Sequence, residues 1–107
     1  MSTSTLIDTP AAIAVEVTHD TLTVTLADGR VISVPVLWYP RLAHGTAKDR
    51  EHWELIGAGH GIHWPELDED ISVEGILHGR PSGEGARSLA RWREWYQTKK
   101  DRTSGSR

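Results

Sequence analysis

The chain contains no cysteine, no phenylalanine and one methionine among its 107 residues. Without cysteine there are no disulfides, no thiolate metal ligands and no thiol nucleophile, which suits a reducing cytosol. Without phenylalanine, five Trp, two Tyr and the aliphatic side chains must supply the core. No apolar run approaches the roughly 18 residues needed to span a bilayer. The start, Met1-Ser2-Thr3-Ser4-Thr5, lacks the basic and apolar regions of a signal peptide. From these absences we expect a soluble cytoplasmic protein with no membrane partner. A chain of this length supports one domain and buries roughly two-thirds of its unfolded surface, enough for one modest core.

The formal net charge of −3 conceals a division. Residues 1–79 hold four basic against twelve acidic side chains, a net of −8, and residues 80–107 hold eight against three, a net of +5. Such a split marks either a surface for an oppositely charged partner or a basic segment that packs on the acidic body of its own chain.

Residues 1–10 are polar, end in Pro10, and are expected to be flexible. Three alternating apolar runs follow: Ile13, Val15 and Val17; Leu22, Val24 and Leu26; Ile32, Val34 and Val36. Period-two patterning rich in β-branched residues predicts half-buried strands. Pairing Val17 with Leu22, Val15 with Val24 and Ile13 with Leu26 aligns the first two runs. A three-residue loop Ala27-Asp28-Gly29, with Gly29 left-handed, pairs Val24 with Ile32 and Leu22 with Val34, whereas a two-residue Asp28-Gly29 turn would send Ile32 to the wrong face. The outcome is a three-strand antiparallel meander, with Pro35 marking the third strand as an edge or its end.

Beyond the apolar crossing Val36–Leu42, a short helix is predicted from about Arg41, or from Thr46 as N-cap, to His52. Trp53–Ile56 and Ile62–Trp64 read as a second short strand pair across the turn Gly57–Gly61, and Ser72 as the N-cap of a short helix Val73–Leu77. Residues 80–85 read as a linker, Ala86 to about Lys100 as the longest helix, and 101–107 as a disordered tail. The fold class is α+β, with one domain over 11–100.

One stretch is denser in information than the rest: Gly61-Ile62-His63-Trp64-Pro65-Glu66-Leu67-Asp68-Glu69-Asp70-Ile71-Ser72-Val73. Together with Asp28-Gly29-Arg30, Val34-Pro35-Val36, Tyr39-Pro40-Arg41-Leu42 and Gly75-Ile76-Leu77, it resembles the bacterial domain-of-unknown-function family 2442. The tail, Arg80-Pro81-Ser82-Gly83-Glu84 and Ser88-Leu89-x-x-Trp92, is similar to that of some members, so the resemblance covers about residues 13–92. It implies a small α+β domain carried alone or beside a helix-turn-helix DNA-binding domain. It also implies a gene neighbour encoding another small protein, in a two-gene, toxin–antitoxin-like arrangement. Gly29, Pro40, His63, Trp64 and Pro65 belong to the motif and read as structural. The resemblance supplies no catalytic residues. A complete helix-turn-helix is not legible, because only one long helix closes the sequence.

Four constellations in the sequence offer candidate chemistry. Glu66, Asp68, Glu69 and Asp70 offer oxygen ligands for a hard cation. The spacing lacks the glycine of an EF-hand, and a surface turn in which Asp68 or Asp70 caps N–H groups leading into Ser72 is the simpler reading. His60 and His63, or His63 with Asp68 or Asp70, offer a transition-metal site, but residues three apart on strand-like backbone tend to face apart. Gly57-x-Gly59-x-Gly61 lacks the following helix that a phosphate cradle needs. Ser82-Gly83-Glu84-Gly85 lacks the strand–elbow–helix context of a nucleophilic serine. No catalytic, cofactor or metal residues are assigned.

The C-terminal helix is the strongest functional candidate. Leu89, Trp92 and Tyr96 form a stripe at spacings of three and four, Trp95 falls off it, and Arg87 and Arg91 flank it. Trp, Tyr and Arg are the types that anchor interfaces. The stripe either folds back on the meander or docks on a partner; Arg87, Arg91, Arg93, Lys99 and Lys100 alternatively meet nucleic-acid phosphates. The candidate partner-binding residues are therefore Arg87, Arg91, Trp92, Trp95 and Tyr96, with Glu66, Asp68 and Asp70 as a second, acidic face. The expected function is a non-catalytic, antitoxin-like interaction module for a small protein from a neighbouring gene. A homodimer and a DNA-binding regulator are the alternatives, with a metal-binding enzyme behind them.

Overall fold

The computed structural model describes residues 9–105, and of residues 102–105 the backbone alone. Most of the segment expected to be flexible, residues 1–8, lies outside the described residues. Strands β1 (Ala12–Val17), β2 (Thr21–Leu26) and β3 (Val31–Pro35) form one antiparallel meander in the order β1-β2-β3. Val17 faces Leu22, Val15 faces Val24, Leu22 faces Val34 and Val24 faces Ile32, the registers that the alternation demands. The Ala27-Asp28-Gly29 loop adopts the three-residue form, closed by Gly29 N–H to the Leu26 carbonyl at 3.0 Å, with Gly29 left-handed at φ 97°.

The expected Ile13–Leu26 pair does not form. The ladder slips between Ala12 and Ala14, so Ala12 faces Leu26 and is buried, while Ile13 bulges out to 59% exposure. Gly59 lies against this point, and a Cβ there would sit 2.8 Å from the Ala11 Cβ and 3.0 Å from the Ala12 carbonyl oxygen.

A 3-10 turn (Val36–Trp38) leads into two short helices, α1 (Pro40–His44) and α2 (Ala47–Glu51), where one was expected. Pro40 occupies the first turn of α1, where a missing N–H costs nothing. Thr46 caps α2, its hydroxyl accepting the Asp49 N–H at 3.1 Å. Arg50 then ties the parts together. Its guanidinium donates to the Leu42 and Ala43 carbonyls at the end of α1 and to the Thr18 and His19 carbonyls of the β1–β2 turn.

The second sheet has three strands, β4 (Glu54–Ile56), β5 (Gly61–Trp64) and β6 (Glu69–Ser72), in that order, and not the expected pair. Strand β6 is built from residues read as an acidic surface turn. Antiparallel pairing of Trp64 with Glu69 and Ile62 with Ile71 extends the sheet through them. Ser72 caps α3 (Val73–Leu77) by accepting the Gly75 N–H at 2.8 Å. The caps expected from Asp68 or Asp70 are not made among the described hydrogen bonds.

Helix α4 (Ala86–Gly105) passes the expected end near Lys100. The helix takes in residues 101–105 of the tail, and 106–107 lie outside the described residues. No Gly or Pro interrupts 86–104, and Gln97 hydrogen-bonds Asp101 one turn on, so no local signal stops the helix earlier. One buried cluster runs from Leu22, Val24 and Leu26 through Leu42, Ile62, Trp64 and Leu67 to Trp92 and Tyr96.

Candidate functional site

The loop between β5 and β6 organises the surface around it. Pro65-Glu66-Leu67-Asp68 turns with Leu67 fully buried and Asp68 left-handed at φ 51°. Trp64 is fully buried and donates its indole N–H to the Arg50 carbonyl at 2.9 Å. Three successive loop carbonyls are then captured from outside: Glu66 by Lys99 Nζ at 3.1 Å, Leu67 by the Trp92 indole N–H at 2.7 Å, and Asp68 by Arg41 at 2.8 Å. The motif residues are thus the seat on which α4 docks.

Docking decides the fate of the candidate stripe. Trp92 and Tyr96 stack with ring centroids 4.9 Å apart and are both buried, against α1 and the β5–β6 loop and not against the meander. The Tyr96 hydroxyl donates to buried Asp49 at 2.6 Å and accepts the Thr46 N–H at 3.1 Å. Burial acts to raise the Asp49 pKa, but the bonds from Lys100 and Tyr96 prevail and hold it below the usual carboxylate range. As candidates for partner contact, Trp92 and Tyr96 are therefore corrected to structural residues. The basic segment does pack on the acidic body, through Lys99–Glu66 at 3.1 Å and Lys100–Asp49 at 2.7 Å.

The opposite side of α4 stays open. Trp95 is 44% exposed, with Lys99 Nζ over its ring at 4.9 Å, and Arg87, Arg91 and Arg93 are exposed. A shallow cavity of about 260 Å³ is lined by Arg41, Asp68, Ser88, Arg91, Trp92 and Trp95. The fold thus brings Asp68 together with Arg91 and Trp95. Glu66 is drawn away into contacts with Lys99 and His52, and Asp70 pairs with His63 across β5 and β6. The acidic face expected over Glu66–Asp70 is divided between separate surfaces. Among the described residues no group of three or more His, Asp or Glu side chains is placed to hold a metal ion.

A second cavity, of about 410 Å³, escaped the sequence reading. It opens between β6, the start of α3 and the segment 80–83, and Tyr39, Glu69, Asp70, Glu74 and Arg80 line it. Glu69 shares the inward face of Ile71, and its burial pushes its pKa up to about 7 against the opposing pull of Arg41. Burial, and then the nearby Glu69, also raise the Tyr39 phenol. Arg41 forms a two-pronged pair with Glu84, at 2.8 and 2.7 Å, and Ser88 adds a third bond to that carboxylate. Arg41 holds Glu84 below the usual range. The segment expected to be a linker is therefore pinned, with the Ser82 N–H also donating to the Trp38 carbonyl. The only hint in the sequence was the position of Arg41 and Glu84 inside the motif blocks.

Two three-stranded antiparallel sheets, short capped helices and a docked C-terminal helix define a small α+β domain whose open surfaces are a Trp–Arg helix face and an acidic cavity. The chain belongs to the family of proteins of unknown function DUF2442, whose model matches residues 12–82. It is similar to a protein of unknown function from Rhodospirillum rubrum, at 25% identity and a TM-score of 0.63 over 70% of this chain and 93% of that one. An uncharacterized protein from Chromobacterium violaceum shares the fold, with 22% identity and a TM-score of 0.60 over 76% of this chain and 74% of that one. No curated protein matches.

Proposed function

We propose that the protein is a non-catalytic interaction module that binds a small partner protein, antitoxin-like in a bacterial two-gene system. The observation that carries this reading is Trp95, a large aromatic left 44% exposed beside Arg91 on a helix whose other face is fully engaged in the core. Exposed Trp and Arg at one spot are the residues that anchor interfaces. The chain is acidic outside α4, which suits a basic partner such as a nucleic-acid-binding or RNA-cleaving protein. The two-gene context rests on the family resemblance alone.

The test is co-expression with the product of the adjacent gene, one chain tagged, with mass measured by light scattering. A stoichiometric complex that is weakened at least about tenfold by Trp95→Ala or Arg91→Glu is the expected result. A folded monomer or homodimer that ignores its neighbour would overturn the proposal.

A second reading, DNA binding, is favoured by the outward Arg87, Arg91 and Arg93 of α4. It requires a salt-sensitive shift of operator DNA that disappears when these arginines are replaced.

A further inference from the structure

The cavity beside Tyr39 has a physical character of its own. Three of its lining side chains, Glu69, Asp70 and Glu74, are carboxyls, and one is a cation, Arg80, which already meets His78 Nδ1 at 3.2 Å. The two lining serine oxygens each accept a backbone bond: Ser72 from the Gly75 N–H and Ser82 from the Glu84 N–H. The Tyr39 side chain is 4% exposed, and its hydroxyl is buried without a hydrogen-bond partner among the described residues. A buried phenol in this condition forgoes a hydrogen bond that a bound donor would restore. The cavity is therefore lined by more carboxyls than cations, and beside them lies a buried phenol oxygen without a partner among the described residues.

We infer that this cavity binds an alkylammonium group, either the side chain of a partner's lysine or the end of a free diamine. The ammonium brings one positive charge and three N–H donors on a narrow stem. It donates to the Glu69 carboxylate and to the Tyr39 oxygen, while the Tyr39 O–H is left to donate to a carboxylate. Asp70 and Glu74 supply further negative potential at the mouth. An anion is disfavoured by the three carboxyls. The bound cation also removes the cost of ionising buried Glu69. This site lies apart from the Trp95 face and stands or falls separately from the proposed function.

The experiment is an NMR titration of the whole chain with 1,4-diaminobutane and, in parallel, with Nα-acetyl-lysine methylamide, with sodium chloride at matched ionic strength as control. Saturable shifts are expected at the amides of Ser72, Gly75 and Gly83, together with a fall in the Glu69 carboxyl titration midpoint. Glu69→Gln is expected to weaken binding at least about tenfold and Tyr39→Phe about threefold or more, each variant giving a folded spectrum. The more tightly bound probe identifies the source: the lysine amide a partner's side chain, the diamine a free metabolite. Shifts that do not saturate, that sodium chloride reproduces, or that persist unchanged in folded Glu69→Gln would overturn the inference.

Discussion

Glu69 follows a left-handed Asp68 and lies on the same face of β6 as Ile71, so strand geometry points a carboxylate inward. Its folded pKa, about 7, stands above its ordinary 4.5. The folded state therefore holds this proton more tightly than the unfolded chain. The stabilisation is complete below about pH 4.5 and is lost as pH rises through about 7. Relative to the parent, Glu69→Gln is expected to gain about 1–3 kcal/mol between pH 4.5 and 8, read as the difference in urea midpoints at the two pH values. A parallel pH dependence of the two proteins would refute it. Asp49 behaves oppositely. Its pKa is lowered, so its contribution is present above the unfolded value and is lost as pH falls through the folded one. Tyr96→Phe removes one donor to Asp49 and leaves the Thr46 N–H without its acceptor, for an expected loss of about 1–3 kcal/mol in chemical unfolding. Trp95→Ala, on the open face of the same helix, should stay within about 0.5 kcal/mol of the parent. The sequence distinguishes Trp95 from the Leu89–Trp92–Tyr96 stripe by helical spacing alone. It does not single out Tyr39 or Glu69, whose properties come from burial by distant residues.

At the level of elements, turns and caps were the most legible features, because their chemistry is local. Gly29, Thr46 and Ser72 take the roles that their types and positions dictate. Strand β6 was not legible, because Glu69-Asp70 lacks strand composition and is recruited by pairing with β5. The bulge at Ile13 breaks the alternation at the point where Gly59, 46 positions away in sequence, packs on Ala11 and Ala12. Gly29 and Gly59 separate two kinds of glycine requirement. Both have positive φ, but a Cβ at Gly29 meets nothing within 4 Å whereas one at Gly59 meets Ala11 at 2.8 Å. Gly29→Ala is expected to cost about 1 kcal/mol, and Gly59→Ala about 2 kcal/mol or more because the contact adds to the backbone strain. Thermal denaturation of the pair checks the ordering. Equal costs would show that Gly59 matters only for its backbone.

At the scale of the whole molecule, the two sheets and α4 are joined by a few long side chains. Arg50 links α1 to the β1–β2 turn, and Arg41 joins α1, the Asp68 carbonyl and Glu84 ahead of α4. With Arg41 replaced by methionine, Glu84 remains almost buried with its charge uncompensated. The expected loss is about 2–3 kcal/mol, with α4 loosened, and amide exchange along 86–100 should accelerate more than in β2. A uniform loss of protection would instead assign Arg41 to the global core. Among the described residues no helix is long and apolar enough to cross a membrane.

The sequence by itself determined the α+β class, the meander and most of its registers, the caps, the family membership and the division of α4 into two faces. These follow from period, turn chemistry and local hydrogen bonding, all of which act between near neighbours. Tertiary structure alone decided that Trp92 and Tyr96 belong to the core, that the acidic stretch becomes a strand, and that Tyr39 and Glu69 share a cavity. Each of these depends on which remote surface covers a residue. Burial and the low dielectric that accompanies it are properties of the assembled chain, so no local pattern carries them.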